Sequence, residues 1–245
     1  MSEHLETRFL TTPWTLLLQR GDTTNDRPSR ALVKLCESYR YPIYAFIRRR
    51  CSDPEQAGDH CQSFFAYLIE KKIYQKATPE RGKFRTFLLA SAKNFLSNKH
   101  RDAHTLKRGG GTTHISLDTD DAETIYAAQL PDESTSPEVL FDRGWANSVF
   151  DKVWCILQAE FEKRDQLDRF EALRPCLMTP EDALAYAEIG QQIGLSETAV
   201  KSAVTRLRER FRDLFRSSVA QLVENPNEVD EEIAYLMEVM AHSQT

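Results

Sequence analysis

The stretch that decides the fold is Tyr186-Ala-Glu-Ile189-Gly190-Gln-Gln-Ile193-Gly194-Leu-Ser196-Glu197-Thr198-Ala-Val200-Lys201-Ser202-Ala-Val204-Thr205-Arg206-Leu207-Arg208-Glu-Arg210-Phe211-Arg212-Asp-Leu214-Phe215. Ile189 and Ile193 lie one turn apart and share a face of a short helix. Gly194 permits a tight turn, and Gly190 leaves room for a close neighbouring helix. Ser196 is placed to cap the second, longer helix. Val200, Val204, Leu207, Phe211 and Leu214 recur in steps of four and three, the pattern of a buried stripe. The opposite face carries Thr198, Lys201, Ser202, Thr205, Arg208 and Arg212, with Arg206 at its edge. The spacing predicts a helix-turn-helix whose second helix offers hydrogen-bonding groups to base edges and cations to phosphates. Ser196, Glu197, Thr198, Lys201, Ser202, Thr205, Arg206 and Arg208 form the candidate DNA-contacting set. An ordinary helical hairpin with a solvated basic face would share the periodicity. The small-residue turn, the cap and the one-sided cations together favour DNA.

Outward from this stretch the chain reads as all-α. Its 245 residues are 41% hydrophobic and 28% charged, which suits a globular protein of one large or two small helical domains. Nine glycines, three of them consecutive, leave no turn-bounded alternating pattern that would predict strands. Thr12-Pro13 reads as a cap and first helical position, with Gly21 as a stop and a loop over 22–28. A helix is expected over about Ser29–Tyr39, with Pro42 opening another. Asp53-Pro54 is a strong helix start, followed by Ala57, Cys61, Phe64, Phe65, Leu68 and Ile69 at helical spacing. Thr78-Pro79-Glu80-Arg81-Gly82 breaks the chain before a helix from about Phe84 to His100.

Charge is segregated. The net charge is −5, yet Arg81–Arg108 holds eight Lys/Arg against one acid, Thr112–Asp142 holds eight acids and no Lys or Arg, and Glu224–Thr245 holds six acids and no Lys or Arg. Phosphate binding follows the local field and not the total. The basic segment interleaves Phe84, Phe87 and Phe95 with Lys83, Arg85, Lys93, Lys99 and Arg101, and adds Asn94 and Asn98. Its basic face reads as a nucleic-acid surface, while the phenylalanines themselves read as core. Gly109-Gly110-Gly111 ends this first region, and the acidic stretch after it reads as a flexible linker. The tail after Asn225 carries Val229, Ile233, Leu236, Val239 and Met240 on an acidic background. By charge complementarity it would either fold back on a basic surface or bind a partner.

Other chemistry is poorly supported. The cysteines, Cys36, Cys51, Cys61, Cys155 and Cys176, are odd in number and form no Cys-x-x-Cys pair, so buried free thiols are expected. His60 and Cys61 are adjacent and cannot face one another on a helix. His100 and His104 are one turn apart without a third ligand, and no glycine-rich phosphate loop follows a strand. The protein is therefore expected not to be an enzyme and to need no cofactor or metal. No apolar run of about 18 residues or secretory leader is evident, so a cytoplasmic location without membrane attachment is expected.

These two basic helical regions, in this order and joined by an acidic stretch, resemble the two-domain sigma factors of bacterial RNA polymerase, nearest to the extracytoplasmic-function type. The likeness covers roughly 30–108 and 138–223. It is carried by Tyr41-Pro42-Ile43-Tyr44-Ala45-Phe46-Ile47-Arg48-Arg49, by Gly82-Lys83-Phe84-Arg85-Thr86-Phe87-Leu88-Leu89-Ala90-Ser91-Ala92-Lys93-Asn94-Phe95-Leu96, and by the helix-turn-helix. The resemblance implies four parts. Residues 1–108 would grip the polymerase clamp and the minus-ten promoter element, 109–137 would be the linker, 138–223 would read the minus-thirty-five element, and 224–245 would be the tail. Polymerase core would be met through Glu55, Asp59, Gln62, Ser63 and Tyr67. The melted minus-ten strand would be held by Lys83, Arg85, Lys93, Asn94, Asn98, Lys99 and Arg101, with the loop at about Lys71–Lys83 capturing a flipped base. The implied partners are RNA polymerase core, promoter DNA and a regulatory protein of the anti-sigma kind. Asp59 matches the family pattern, whereas His60 and Ser63 stand where it leads one to expect Leu and Glu. The competing expectation is a helix-turn-helix regulator that does not engage polymerase core.

Overall fold

The computed structural model describes residues 30–78, 82–105, 120–129, 132, 134–179, 185–223 and 226–241. The N-terminal segment with Thr12-Pro13, the Pro79–Arg81 break and the triple glycine lie outside them. The described residues are helical and contain no strand: α1 (Arg30–Arg48), α2 (Pro54–Glu70), α3 (Phe84–Thr105), α4 (Asp120–Gln129), α5 (Pro137–Glu162), α6 (Leu167–Leu173), α7 (Tyr186–Ile193), α8 (Glu197–Ala220) and α9 (Val229–Ala241). They divide into two compact units. One comprises the chain before Val149 together with everything after Ala220; the other is Val149–Ala220. The boundary thus falls inside α5, about ten residues later than the sequence suggested, and the acidic tail belongs to the first unit.

In the first unit α1 packs against α2 and α4, and α2 against α3. Ile43, Phe46 and Ile47 of α1 are fully buried, as are Phe64 and Phe65 of α2. Each such side chain stabilises the unit by about 1.5–3 kcal/mol relative to exposure. This burial explains why α1 runs unbroken where two helices were expected. Pro42 removes one backbone donor, but the residues after it are anchored in the core. The start of α2 is as read: Asp53 accepts from the amides of Glu55 and Gln56, both at 3.2 Å.

The acidic stretch departs from the flexible linker expected of it. Residues 120–129 form α4, which docks on α1 through polar anchors: the Tyr44 hydroxyl donates to Glu123, Arg48 Nε lies 3.0 Å from the same carboxylate, and the Tyr41 hydroxyl donates to Gln129 at 2.6 Å. Ala122 is buried beneath them. The buried Ala122, the Tyr126 ring beneath Arg48 and the Glu123 carboxylate together order a segment whose composition reads as loop.

The second unit is built on Leu157 of α5, Phe170 and Leu173 of α6, Cys176, and the stripe Val200, Ala203, Val204 and Leu207 of α8. Ile189 and Ile193 of α7 pack against this core, as do Leu195, Phe211 and Leu214. The five cysteines are free thiols; Cys36, Cys61 and Cys176 are buried as expected, whereas Cys155 is exposed on α5.

Candidate nucleic-acid interface

The turn between α7 and α8 is fixed by two glycines. Gly194 adopts φ +68°, and the amides of Gly194 and Leu195 both donate to the Gly190 carbonyl. A Cβ on Gly190 would lie 2.5 Å from the Leu195 carbonyl oxygen. What needs the space at Gly190 is therefore the turn's own backbone. Ser196 Oγ accepts from the Ala199 amide at 3.3 Å, as its cap role requires.

With its apolar stripe buried, α8 turns a polar face outward. Ser196, Glu197, Thr198, Lys201, Ser202, Thr205 and Arg206 are all exposed. Lys201 pairs with Glu197 at 2.6 Å and sits over the Tyr186 ring. The Glu197 carboxylate raises the Lys201 pKa above the ordinary lysine value. The Ser202 and Thr205 hydroxyls donate to the carbonyls of Thr198 and Lys201, each at 3.0 Å. Arg208 departs from the expected set. Its guanidinium is turned to the carbonyls of Cys176 (2.9 Å) and Thr179 (2.8 Å), where it ties α8 to the chain after α6. Beside Arg206, a groove of about 450 Å³ collects Arg164, Arg169 and Arg210 over a floor of Phe161 and Leu207. Arg210 is held there by Glu160, with Nε at 3.0 Å. The sequence pattern on α8 gave no sign of Arg164 and Arg169, because they reach the groove from a turn and from α6.

On α3 the cations fare differently. Arg85 is enclosed: its Nε lies 3.1 Å from Glu232, Nη1 lies 3.4 Å from Asp142, and the guanidinium sits between the rings of Trp145 (4.8 Å) and Tyr235 (4.2 Å). Burial alone would lower the Arg85 pKa, but Glu232, together with Tyr235 and Asp142, outweighs it and the net shift is upward. Lys83 binds Glu232 as well. Lys93 is half-exposed and pairs with Glu138 at 2.9 Å. Lys99 Nζ lies 3.1 Å from His60 Nδ1 and 3.3 Å from Ser63 Oγ, and burial lowers its pKa against the opposing pull of Asp59. Asn94, Asn98 and Arg101 are exposed, with Arg101 donating to Asn98. The basic face read from the sequence is therefore largely engaged by protein at Lys83 and Arg85 and open toward Asn94, Asn98 and Arg101. Phe84 is core as read, and Phe87 and Phe95 are half-buried.

On α2, Glu55 and Asp59 are exposed, while Gln62, Ser63 and Tyr67 are half-buried. Ser63 accepts from Lys99, and the Tyr67 ring packs 5.4 Å from Phe95. His60 and Ser63 are thus the pair that receives the Lys99 ammonium. Among the described residues there is no helix long and apolar enough to cross a membrane and no cluster of metal-ligating side chains. Compared with protein-family models, with curated proteins and with solved structures, the chain matches none.

Proposed function

We propose that the protein is a sigma-type transcription initiation factor that reads a promoter element through α8 and brings RNA polymerase core to it. The observation that supports this most is the outward face of α8. A helix held rigidly by a glycine turn and a buried apolar back presents Thr198, Lys201, Ser202 and Thr205 to solvent with Arg206 alongside. That combination suits base edges in a major groove flanked by phosphates. The groove arginines beside Arg206 add positive charge on the same unit.

The test is selection of DNA duplexes from a randomised pool by the full chain. A shared motif is expected. Lys201→Ala should weaken binding to every selected duplex and reduce the slope of log affinity against log salt by about 1. If no motif is enriched above background, the proposal fails. Retention of purified polymerase core by the full chain, with loss in Asp59→Lys, would support the sigma-type role.

A second reading has its own support. Ser63 and Tyr67, expected to face polymerase, are partly covered by Lys99 and Phe95. This favours a helix-turn-helix regulator that works without polymerase core. Motif selection with no retention of core, in wild type as in Asp59→Lys, would decide for it.

A further inference from the structure

Helix α9 carries a buried stripe of Val229, Glu232 and Leu236, at spacings of three and four. Its central member is a carboxylate that is 1% exposed. A glutamate in the middle of an apolar stripe is costly unless cations meet it, and here two do. Lys83 and Arg85, at the amino end of α3, both bind it. The arrangement is reinforced around Arg85. The Tyr235 ring covers one side of the guanidinium and Trp145 lies near it as well, while the Tyr235 hydroxyl is hydrogen-bonded to Asp142. Asp230, Glu231 and Glu232 all fall in the first turn of α9, where carboxylates favour the helix they begin. A guanidinium stacked on aromatic rings, here the buried Trp145 and the half-buried Tyr235 of α9, next to an ammonium, is also the chemistry that receives phosphates and unstacked bases of single-stranded nucleic acid.

We infer that Lys83, Arg85 and Trp145 form an anion site for single-stranded DNA, which the protein's own helix α9 occupies through Glu232. The carboxylate stands where a phosphate would bind, so tail and nucleic acid exclude one another. Docking of α9 lowers the fraction of molecules competent to bind through this end of α3, and release restores it. This inference rests on the DNA-binding function proposed above and adds a regulation to it.

The test uses the full chain and a labelled single-stranded DNA oligonucleotide of mixed sequence, followed by anisotropy over a salt series. Glu232→Gln keeps the shape and removes the charge. It should bind about 10-fold more tightly at low salt, and its slope should steepen by about 1.4 as two cations become available to a single strand. Lys83→Gln combined with Glu232→Gln should return about half of the added slope. In the wild type, hydrogen exchange over 229–241 should accelerate when the oligonucleotide is added. This measurement does not depend on any variant folding well. Equal affinity and slope in wild type and Glu232→Gln, with exchange over 229–241 unmoved by DNA, would overturn the inference while leaving duplex recognition by α8 intact. Absence of binding to duplex and single strand alike would overturn the DNA-binding proposal, and the inference with it.

Discussion

The amino end of α3 and the outer face of α8 are both basic in sequence, and the fold treats them in opposite ways. At Arg85 the guanidinium is enclosed by two carboxylates and two aromatic rings. Along α8, Lys201 and Arg206 stand in solvent, with a neighbouring glutamate and the Tyr186 ring against Lys201. The difference lies in what each helix packs against. Lys83, Arg85 and Lys93 meet acids that arrive from α5 and from the C-terminal helix, far away in sequence. The cations of α8 lie opposite its apolar stripe, so the burial that fixes the helix also keeps that face outward. A run of positive charge therefore predicts a binding surface only when no distant acidic element is delivered to it.

Arg85→Ala breaks the comparison most sharply. It leaves Glu232 in the interior with Lys83 as its remaining cation, and should destabilise the first unit by about 3 kcal/mol, since removing one partner of a buried ion pair leaves the other charge only partly compensated. Urea unfolding measures this, and Arg206→Ala should leave the midpoint where it is. Similar small losses in both variants would mean that Arg85 is not structurally engaged. Gly190→Ala sharpens the other side, because the added methyl meets the Leu195 carbonyl. A loss of about 2 kcal/mol is expected, of the size seen for overpacking and backbone strain, together with reduced duplex binding as α7 and α8 are levered apart. Wild-type stability in this variant would show that the turn has slack. The smallest effect concerns thiols. Burial pushes the pKa of Cys36 and of Cys61 up to about 12, so both stay protonated and enclosed at pH 8. Cys155 is exposed and should alkylate first in the folded protein, with Cys36 and Cys61 labelled only after denaturation. Prompt labelling of Cys61 would contradict the packing described for α2.

Where local periodicity and burial agree, the sequence was legible. The α8 stripe, the Gly194 turn, the Ser196 cap and the Asp53 start of α2 were all read from neighbours within four residues of one another, and each took the conformation expected. What could not be read arises from contacts between distant residues. Pro42 reads as a helix start until the burial of Ile43, Phe46 and Ile47 is known. Residues 120–129 read as linker because Tyr44 and Arg48, which receive Glu123, and Tyr41, which meets Gln129, lie some eighty positions earlier. Arg208 falls on the outward face in the helical pattern, yet carbonyls from the chain after α6 claim its guanidinium. Arg85 and Glu232 illustrate the same point across nearly 150 residues. The acidic tail could be suspected of folding back from its charge, but its landing place could not be named.

The hydroxyls of Ser202 and Thr205 already give their hydrogens to carbonyls one turn back in α8. They therefore enter any groove as acceptors alone. In the proposed role, this biases the letters that α8 prefers at those positions toward adenine and cytosine, whose exocyclic amino groups donate in the major groove, and away from the acceptor-rich edge of guanine. A selected motif with guanine opposite both residues would show that the hydroxyls rotate on binding.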